Sequence, residues 1–421
     1  MNGDNMILET SVDFRNFVSK HLGAIMQRHN VGILGCGVIS RTYLADIKAF
    51  YPRLNVLACA DVTAELAKKL AEEFEVERAY TTEELLKDED IEIVINLTPP
   101  RFHVELNKRI IEAGKHVFSE KPFAHSLEQA REVLNLAKEK GVKVGCAPDT
   151  FLSSGLQSVR HYLDTGIIGK PFMVTANMMI FGAETWHPNP GFFYEDNCGP
   201  VFDMAPYYVS AIVSLLGPVE RVVGFGARPN KKRHLYVGDK AGTDIDVNVD
   251  TTYTVLLYLR SGVLVNLNLS FDIYKTDLPM FEIFGDCGTI SYPDPNFGGG
   301  TPKVYRKEQF IDPIFNKTKE AEDRHDKFYE LPGLFPRVKD YSRGIGVMDL
   351  ATAIDKKKEN RTGENFILHV TEVLCGIRES VSKGQIYEVQ TTCERPMRFA
   401  GVATVQKETV EQYLHELENK H

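Results

Sequence analysis

The sequence Val31-Gly-Ile-Leu-Gly-Cys-Gly-Val-Ile-Ser40 runs from a short apolar segment through a glycine-rich turn into a helix. Gly35 permits a tight turn, and Gly37 has no Cβ that would collide with a pyrophosphate approaching the backbone. The N-terminus of the following helix presents free N–H groups that can bind such an anion. Ser40 stands where a third glycine is usual, so we expect slightly looser packing of helix on strand. The predicted nucleotide-binding residues of this turn are Gly35, Gly37, Val38 and Ile39.

The segments around this turn alternate between short apolar strands and helices, which distinguishes it from an ordinary tight turn. Predicted strands cover 31–34, 55–60, 91–97, 116–118 and 142–146, and helices follow the turn to 49 and then cover 63–74, 103–113 and 126–140. This alternation indicates right-handed βαβ units and a doubly wound parallel sheet, which binds ligands beyond the carboxyl ends of its strands. The first half of the chain is therefore predicted to be an α/β Rossmann domain.

Asp61 ends the second predicted strand, about 20 residues beyond the glycine turn, where dinucleotide-binding domains carry an acidic residue. A carboxylate there can accept hydrogen bonds from both ribose hydroxyls of NAD, and it would repel the 2′-phosphate of NADP. The sequence therefore predicts NAD as the cofactor, with NADP as the other candidate.

The chain has 421 residues, too many for a single hydrophobic core, so two domains are expected. The predicted division is an N-terminal extension over 1–25, the Rossmann domain over 26–150, a substrate-binding and oligomerisation domain over 151–400, and a helical tail over 401–421.

Charge and cysteine usage exclude several classes of function. The net charge is −9, without a large basic region, which argues against binding to nucleic acid. No apolar run is long enough to span a bilayer. The seven cysteines include no CxxC pair and no metal-ligand spacing, so we expect reduced thiols, a cytoplasmic protein and no metal site.

Two regions of the sequence resemble signatures of the glucose–fructose oxidoreductase/inositol dehydrogenase (Gfo/Idh/MocA) family. The first comprises Ile95-Asn-Leu-Thr-Pro-Pro-Arg-Phe-His103 and Glu112-Ala-Gly-Lys-His-Val-Phe-Ser-Glu-Lys-Pro122, and the second is Gly199-Pro-Val-Phe-Asp-Met-Ala-Pro-Tyr207. Cys198 and Ala205 stand where glycines are common in the family, which puts the local turn in doubt. The resemblance runs from about residue 30 to about residue 399.

The resemblance implies that an α+β domain with a large open, mostly antiparallel sheet follows the Rossmann domain. The sequence agrees, because β-rich segments replace the alternation at 172–180, 220–226, 251–259, 263–271 and 281–285. Within 263–271 apolar and polar residues alternate, so one face of the sheet is apolar and the other polar. Members of the family often associate through this sheet, which implies a homodimer or homotetramer, although a monomer with one wetted sheet face is the alternative.

The resemblance also implies that Lys121, Asp203 and Tyr207 are catalytic. Oxidation of a carbinol needs a base for the hydroxyl proton while the hydride moves to nicotinamide. Desolvation and an adjacent oxidised nicotinamide would both lower the pKa of a lysine toward neutrality, and a tyrosine can relay the proton. We expect Lys121 and Tyr207 to be the proton-transfer pair and Asp203 to orient Lys121 and the substrate. Which of the pair removes the first proton stays open.

Asp203 and Tyr207 are four residues apart at the start of a helix predicted over 203–216, so both side chains can share one face. Without the resemblance, Asp203 would be read as an acid that stabilises the helix N-terminus, and Tyr207 as a core residue.

Further site residues are predicted on both sides of the catalytic group. On the cofactor side the resemblance implies Thr98, Pro99, His103 and Glu120 together with Lys121. On the substrate side, a loop braced by prolines carries Trp186 and His187, whose rings can contact a sugar. Packing within a loop or at a helix start would equally explain His103, Trp186 and His187. Two weaker candidates for the substrate pocket are Asp149 and Arg343.

The function that the resemblance implies is NAD(P)-dependent hydride transfer to or from a secondary hydroxyl of a sugar, a sugar derivative or a polyol. Some relatives instead use a resident NAD to oxidise a sugar, eliminate its glycosidic substituent and reduce it back, which makes them hydrolases. Another relative is a regulator that senses the nucleotide without catalysis, and an intact Lys121 and Tyr207 argue against that alternative. The sequence names neither the sugar nor the hydroxyl, because specificity depends on loops of the second domain.

Overall fold

The computed structural model describes residues 27–316, 325, 327–335 and 342–399. The predicted N-terminal extension over 1–25 and the predicted tail over 401–421 lie outside these residues.

The first domain is built on a six-stranded parallel sheet with the strand order β3-β2-β1-β4-β5-β6. Its strands are β1 (His29–Leu34), β2 (Leu54–Ala60), β3 (Arg78–Tyr80), β4 (Ile93–Asn96), β5 (His116–Ser119) and β6 (Val144–Cys146). Its helices are α1 (Val38–Phe50), α2 (Ala64–Phe74), α3 (Thr82–Lys87), α4 (His103–Glu112) and α5 (Leu127–Lys140). The order reverses between β1 and β4, where doubly wound sheets bind their ligands. The predicted Rossmann fold is confirmed.

Alternate residues of these strands fill two cores, one on each face of the sheet. Ile33 and Ile95 pack with α1 and α2 on one face, whereas Leu34 and Val94 pack with α4 and α5 on the other. Because both faces are covered, the strands read as continuous apolar runs, and their predicted ends are within two residues of those observed.

The second domain is built on a nine-stranded sheet with the order β16-β15-β14-β13-β7-β12-β11-β8-β17. Its strands are β7 (Pro171–Met179), β8 (Val219–Ala227), β11 (Thr252–Leu259), β12 (Leu264–Ser270), β13 (Phe281–Gly285), β14 (Gly288–Tyr292), β15 (Lys303–Arg306), β16 (Tyr329–Glu330) and β17 (Tyr387–Glu388). The pair β7–β12 is parallel and the other pairs are antiparallel, which confirms the predicted open, mostly antiparallel sheet. A separate hairpin consists of β9 (Lys232–His234) and β10 (Asp244–Asp246).

The helices of the second half are α6 (Ser154–Asp164), α7 (Gly199–Asp203), α8 (Ala205–Leu216), α9 (Lys307–Asn316), α10 (Ile345–Asp355) and α11 (Glu364–Lys383). None of the helices in the described ranges combines the length and the apolarity needed to cross a bilayer.

The two faces of the nine-stranded sheet differ. The apolar side chains of β12 lie in the core of the second domain, beneath helices that include α7 and α11, while its polar side chains are on the other face. That other face is open, and it carries Leu256, Leu264 and Phe225, which are 53%, 55% and 78% exposed. An apolar surface of this kind on an open sheet is a candidate contact surface.

Helix α10 returns to the first domain. Val347, Leu350 and Ala351 are buried in the core that also contains Ile33 and Tyr43. By sequence these residues fall in the predicted second domain, and the packing places the segment before α10 beside the carboxyl ends of the Rossmann strands. The chain thus contributes to the site between the domains from three separate stretches.

Candidate active site

The glycine turn after β1 has the geometry that a dinucleotide requires. Gly35 has a φ of 101°, and a Cβ there would lie 2.8 Å from backbone atoms of Leu97 and Thr98, so only glycine fits. A Cβ on Gly37 would have no protein atom within 4 Å, which leaves open space at the N-terminus of α1. No side chain caps this helix end, so its N–H groups are available to a phosphate.

Asp61 lies beside this turn. Its Oδ2 accepts a hydrogen bond from the Cys36 backbone N–H at 2.8 Å, and its Oδ1 accepts one from the Thr63 N–H at 2.9 Å. The carboxylate is thereby fixed at the carboxyl end of β2, where it can bind ribose hydroxyls. Val38 and Val62 flank the turn and are 67% and 95% exposed, so they offer apolar surface to a bound nucleotide. The residues present therefore fit NAD.

The predicted residues on the nicotinamide side lie in the loops after β4 and β5. His103 is buried, and its two ring nitrogens lie 2.8 Å from the Pro122 carbonyl oxygen and 2.7 Å from the Thr98 carbonyl oxygen. Burial lowers the pKa of this imidazole. His103 thus ties the two loops together, while Thr98 is half-buried and Pro99 is exposed at the edge of the site.

Glu120 is buried and held in place by two hydrogen bonds. Its Oε1 accepts one from the Tyr43 hydroxyl at 2.9 Å, and its Oε2 accepts one from the Lys121 backbone N–H at 3.0 Å. The peptide bond between Lys121 and Pro122 is cis. Glu120 therefore fixes the backbone from which the Lys121 side chain extends.

The structure brings Lys121, Asp203 and Tyr207 together. The ammonium of Lys121 donates to Asp203 Oδ1 at 2.5 Å and to the Asp203 carbonyl oxygen at 2.8 Å. The same nitrogen lies 5.3 Å from the centre of the Tyr207 ring. A cation held by one carboxylate over a phenol is an arrangement that can donate, accept and stabilise a proton.

The surroundings of Lys121 act on its pKa in opposite directions. Burial disfavours the ammonium, but the nearby Asp203, Tyr207 and Glu120 favour it, and the net result is a pKa raised above the ordinary value for lysine. The sequence predicts a pKa lowered by desolvation and by an oxidised nicotinamide; desolvation acts in the expected direction, but the protein's own charged residues outweigh it and favour the ammonium form.

Asp203 and Tyr207 do not belong to the single helix predicted over 203–216. Asp203 is the last residue of the short helix α7, and Tyr207 lies in the first turn of α8. Met204, between the two helices, belongs to neither. Asp203 therefore does not cap the helix that carries Tyr207. The break directs both the Asp203 carboxylate and its carbonyl oxygen at Lys121.

Trp186 and His187 lie on a loop of the second domain near the catalytic group. Trp186 is 61% exposed, and the His187 ring packs edge-on against Phe192 and Phe193 at 5.4 Å. Burial lowers the pKa of His187, while the charge of Asp203 acts in the other direction. The charge of Asp203 thus acts on the His187 imidazole.

Asp149 and Arg343, the weaker candidates, are both buried. Asp149 Oδ2 accepts a hydrogen bond from the Gly346 N–H at 2.8 Å, so this carboxylate holds the start of α10. Arg343 Nη2 donates to the Tyr207 hydroxyl at 3.1 Å. The structure therefore directs Arg343 at a predicted catalytic residue.

Two residues of the site have no counterpart in the sequence prediction. Tyr43 binds Glu120, and Asp46 Oδ2 accepts a hydrogen bond from the Arg343 N–H at 2.8 Å. Both lie on the buried face of α1, beside Leu44 and Ile47. A carboxylate on the apolar face of an amphipathic helix was the available signal, because a buried charge needs a partner. Within the described part of the chain, no three His, Cys, Asp or Glu side chains are grouped as metal ligands.

Comparison with known proteins agrees with this geometry. Residues 29–147 match the oxidoreductase family with an NAD-binding Rossmann fold, and residues 156–291 match the GFO/IDH/MocA C-terminal domain. An uncharacterized oxidoreductase of Bacillus subtilis strain 168, YrbE, is 26% identical over 269 residues, which cover 62% of this chain and 72% of that protein. The D-xylose dehydrogenase of Paenarthrobacter nicotinovorans is 24% identical over 237 residues, which cover 53% of this chain and 59% of that enzyme.

Among solved structures, levoglucosan dehydrogenase in complex with NADH and L-sorbose superposes with a TM-score of 0.70 at 20% identity, over 86% of this chain and 99% of that one. This likeness supports the fold of both domains. The two family models together cover more than half of the chain. The chain belongs to the Gfo/Idh/MocA family of NAD-binding oxidoreductases.

Proposed function

We propose that this protein is an NAD-dependent dehydrogenase that moves a hydride between a nicotinamide cofactor and a secondary CH–OH carbon of a sugar, a sugar derivative or a polyol. The observation that carries the proposal is the Lys121–Asp203–Tyr207 group, in which the Lys121 ammonium lies 2.5 Å from Asp203 Oδ1 and 5.3 Å from the Tyr207 ring. Relatives named as acting on D-xylose and levoglucosan support a carbohydrate substrate.

In this proposal the residues of the glycine turn and Asp61 hold the cofactor, which supplies or accepts the hydride when it is bound. The chain's own side chains handle the proton. In the direction of oxidation, the hydroxyl proton leaves to the Lys121–Tyr207 pair as the C–H bond breaks; because Lys121 is already an ammonium, the group that accepts it is the phenolate form of Tyr207. In the direction of reduction, the same pair returns a proton to the carbonyl oxygen.

The raised pKa of Lys121 indicates a second role for this side chain besides proton transfer. As an ammonium, it donates a hydrogen bond to the substrate oxygen and stabilises the negative charge that develops there. Asp203 keeps the ammonium at one point, and Tyr207 is then available to exchange the proton. The rim residues Trp186 and His187 are proposed to contact the sugar ring.

The proposal also covers the cellular compartment and the self-association of the enzyme. All seven cysteines are free thiols, which supports a reducing compartment such as the cytoplasm. The open face of the second sheet, with its exposed apolar residues, is proposed to bind a second copy of the chain.

The experiment that tests the function is absorbance at 340 nm with the purified protein, NAD and a panel of sugars and polyols. We expect NADH formation with at least one of them, and we expect Lys121→Met to reduce kcat by about 10²- to 10⁴-fold, the range for loss of a general acid or base. Lys68→Met, at an exposed lysine of α2, is the matched control and should leave kcat unchanged.

The outcome distinguishes the alternative functions. Release of a glycosidic substituent without net NADH, from a protein that retains its cofactor on purification, would instead identify a redox-assisted hydrolase. Nucleotide binding with neither activity would contradict an enzymatic role.

A further inference from the structure

The segment 342–346 is fastened to the Rossmann domain by two buried carboxylates. Asp46 accepts a hydrogen bond from the Arg343 N–H, and Asp149 accepts one from the Gly346 N–H, both at 2.8 Å. Each of the two carboxylate side chains belongs to a residue that is 1% exposed. Gly344 has a φ of 103°, and a Cβ there would lie 3.1 Å from Ile47, so the backbone lies close against α1. The position of this segment is therefore closely defined.

Burying two carboxylates costs free energy, and here each of them accepts a hydrogen bond from the backbone of the same short segment. What the segment delivers to the site is the side chain of Arg343, which is 2% exposed. Its Nη2 lies 3.1 Å from the Tyr207 hydroxyl oxygen, and its guanidinium carbon lies 5.8 Å from the centre of the Tyr207 ring. The guanidinium and the phenol belong to distant parts of the chain, 136 positions apart.

Tyr207 therefore has two cations near its ring, with Lys121 Nζ at 5.3 Å and the Arg343 guanidinium carbon at 5.8 Å from the ring centre. The ammonium of Lys121 is paired with Asp203, so part of its charge is already compensated. The guanidinium of Arg343 faces Asp149, whose pKa is raised by burial, while the charge of Arg343 acts against that increase. A guanidinium keeps its charge throughout the accessible pH range and cannot itself exchange the proton.

Other charged groups near this pair have partners of their own. Glu120 is bonded to the Tyr43 hydroxyl and to a backbone N–H. One carboxylate oxygen of Asp46 accepts a hydrogen bond from the Arg343 N–H. The hydrogen bond from Arg343 is thus a direct interaction of a permanent positive charge with the phenol oxygen.

We propose that Arg343 is a positioning residue for Tyr207, which orients the phenol and stabilises negative charge on its oxygen during proton transfer. The expectation from the sequence that Arg343 belongs to the substrate pocket stays a prediction, and the first test below distinguishes the two roles. The inference rests on the proposed function, in which Tyr207 exchanges the substrate proton. In oxidation Tyr207 must be a phenolate to accept the hydroxyl proton, and the charge of Arg343 favours that form, so its loss should lower the rate of the chemical step and not substrate affinity.

The first test is the pH dependence of kcat for wild type, Arg343→Lys and Arg343→Met with a sugar substrate. We expect Arg343→Met to lower kcat for oxidation at neutral pH by at least about tenfold, which is the loss of phenolate that a rise of one unit in the Tyr207 pKa gives, with KM changed by less than about threefold. In Arg343→Met the rising limb of the pH profile of kcat for oxidation should move to higher pH by about one unit or more. Arg343→Lys should restore part of both effects because it keeps the charge. An increase in KM at unchanged kcat would show that Arg343 binds substrate and would overturn the proposal.

The second test removes the residue on which Arg343 is proposed to act. In a Tyr207→Phe background, Arg343→Met should cause little further loss of kcat, because both substitutions abolish the same interaction. Losses that multiply in the double variant would contradict the proposal. Arg361→Met is the matched control: Arg361 is bonded to Asp349 rather than to the site, so its loss should reduce stability without moving the pH profile.

The third test does not depend on turnover. In a protein labelled with ¹³C at the tyrosine Cζ, the Tyr207 resonance is identified by its absence in Tyr207→Phe. We expect its titration to move to higher pH in Arg343→Met and to stay near the wild-type position in Arg343→Lys. An unchanged titration would overturn this inference even if the enzyme proves to be a dehydrogenase. A shifted titration in a protein that shows no dehydrogenase activity would refute the proposed function and leave the contact standing.

Discussion

Asp61 is the residue on which the choice of cofactor depends. It accepts a hydrogen bond from the Cys36 N–H at 2.8 Å, so it both fixes the glycine turn and presents a negative charge to the ribose. We expect Asp61→Asn to keep the turn, because an amide oxygen can accept the same bond, and to lose the discrimination against a 2′-phosphate. Titration calorimetry should show NAD(H) binding more tightly than NADP(H) in wild type, with the ratio reduced by about tenfold or more in the variant. Tighter NADP(H) binding by wild type would contradict the role of Asp61.

Tyr43 offers a second prediction at the scale of one residue. Its hydroxyl donates to Glu120 in a buried site, so Tyr43→Phe leaves a carboxylate oxygen without this partner and should destabilise the protein by about 1–3 kcal/mol. Since Glu120 also holds the Lys121 N–H, kcat should fall as well. Urea unfolding and steady-state kinetics measure the two effects.

The chain contains a matched control for Tyr43. Tyr208 is also buried, and its hydroxyl donates to Asp294 Oδ1 at 3.0 Å. Tyr208→Phe should lower stability by a similar amount while kcat stays at the wild-type value. If both variants lost activity equally, the effect of Tyr43→Phe would be a consequence of stability and not of the position of Glu120.

At the scale of elements, the β9–β10 hairpin contacts the loop that carries Trp186 and His187 through one buried arginine. Arg233 is bonded to Glu184 at 3.0 Å and also to Asp272, and its guanidinium lies 5.5 Å from the centre of the Tyr194 ring. Glu184 and Tyr194 are at the two ends of the loop that carries Trp186. The hairpin therefore fixes the wall proposed to contact the sugar.

We expect Arg233→Met to raise KM by about tenfold with a smaller change in kcat, because the loop loses its anchor while the proton-transfer group is untouched. Arg228→Met is the control, since Arg228 holds the same hairpin through the Val247 carbonyl and does not contact the loop residues named above. Steady-state kinetics on both variants distinguish an effect of the anchor at Glu184 from an effect of the hairpin as a whole. Equal changes in KM would show that the hairpin as a whole matters and not the anchor at Glu184.

Elements were predictable from sequence where one local signal determined them. The buried strands and the glycine turn follow from apolar periodicity and from a backbone conformation that only glycine adopts. Strand β3 was missed because it has three residues and none is buried, whereas α3 has a capping box between Thr81 and Glu84 that could have identified it. The break before α8 was also detectable, because Pro206 favours the first turn of a helix and argues against a start at Asp203.

The candidate site was predictable only in part. The resemblance identified Lys121, Asp203 and Tyr207, and the structure brings these three together. The contact of Arg343 with Tyr207 was not accessible from the sequence, because it joins segments 136 positions apart and depends on α10 packing on the first domain. No periodicity or motif encodes such a contact, since it arises from tertiary packing of two elements that are separately unremarkable in sequence.

At the scale of the whole molecule, the site is assembled from three stretches: the loops of the Rossmann sheet, the α7–α8 break, and the segment before α10. Lys121, Tyr207 and Arg343 come from one each. A small displacement of one domain relative to the other would separate these groups by more than a hydrogen-bond length. The assembly of the site therefore depends on how the second domain packs against the first.

The open face of the nine-stranded sheet is the surface on which self-association is predicted. Leu256 is 53% exposed and Leu264 is 55% exposed on this face, where a second copy of the chain can cover them. We expect wild type to sediment as a dimer or tetramer, and Leu256→Glu to shift it toward single chains, because a buried, unpaired carboxylate in an interface is costly. Met397→Glu, which places the same charge at a site 73% exposed outside the sheet, should leave the association unchanged. The face lies away from Lys121, so Leu256→Glu should lower kcat per chain only in proportion to the loss of association. Sedimentation and kinetics at matched protein concentrations measure the two quantities. Wild type that sediments as a single chain at micromolar concentration would refute the association and require the domain packing itself to hold the site.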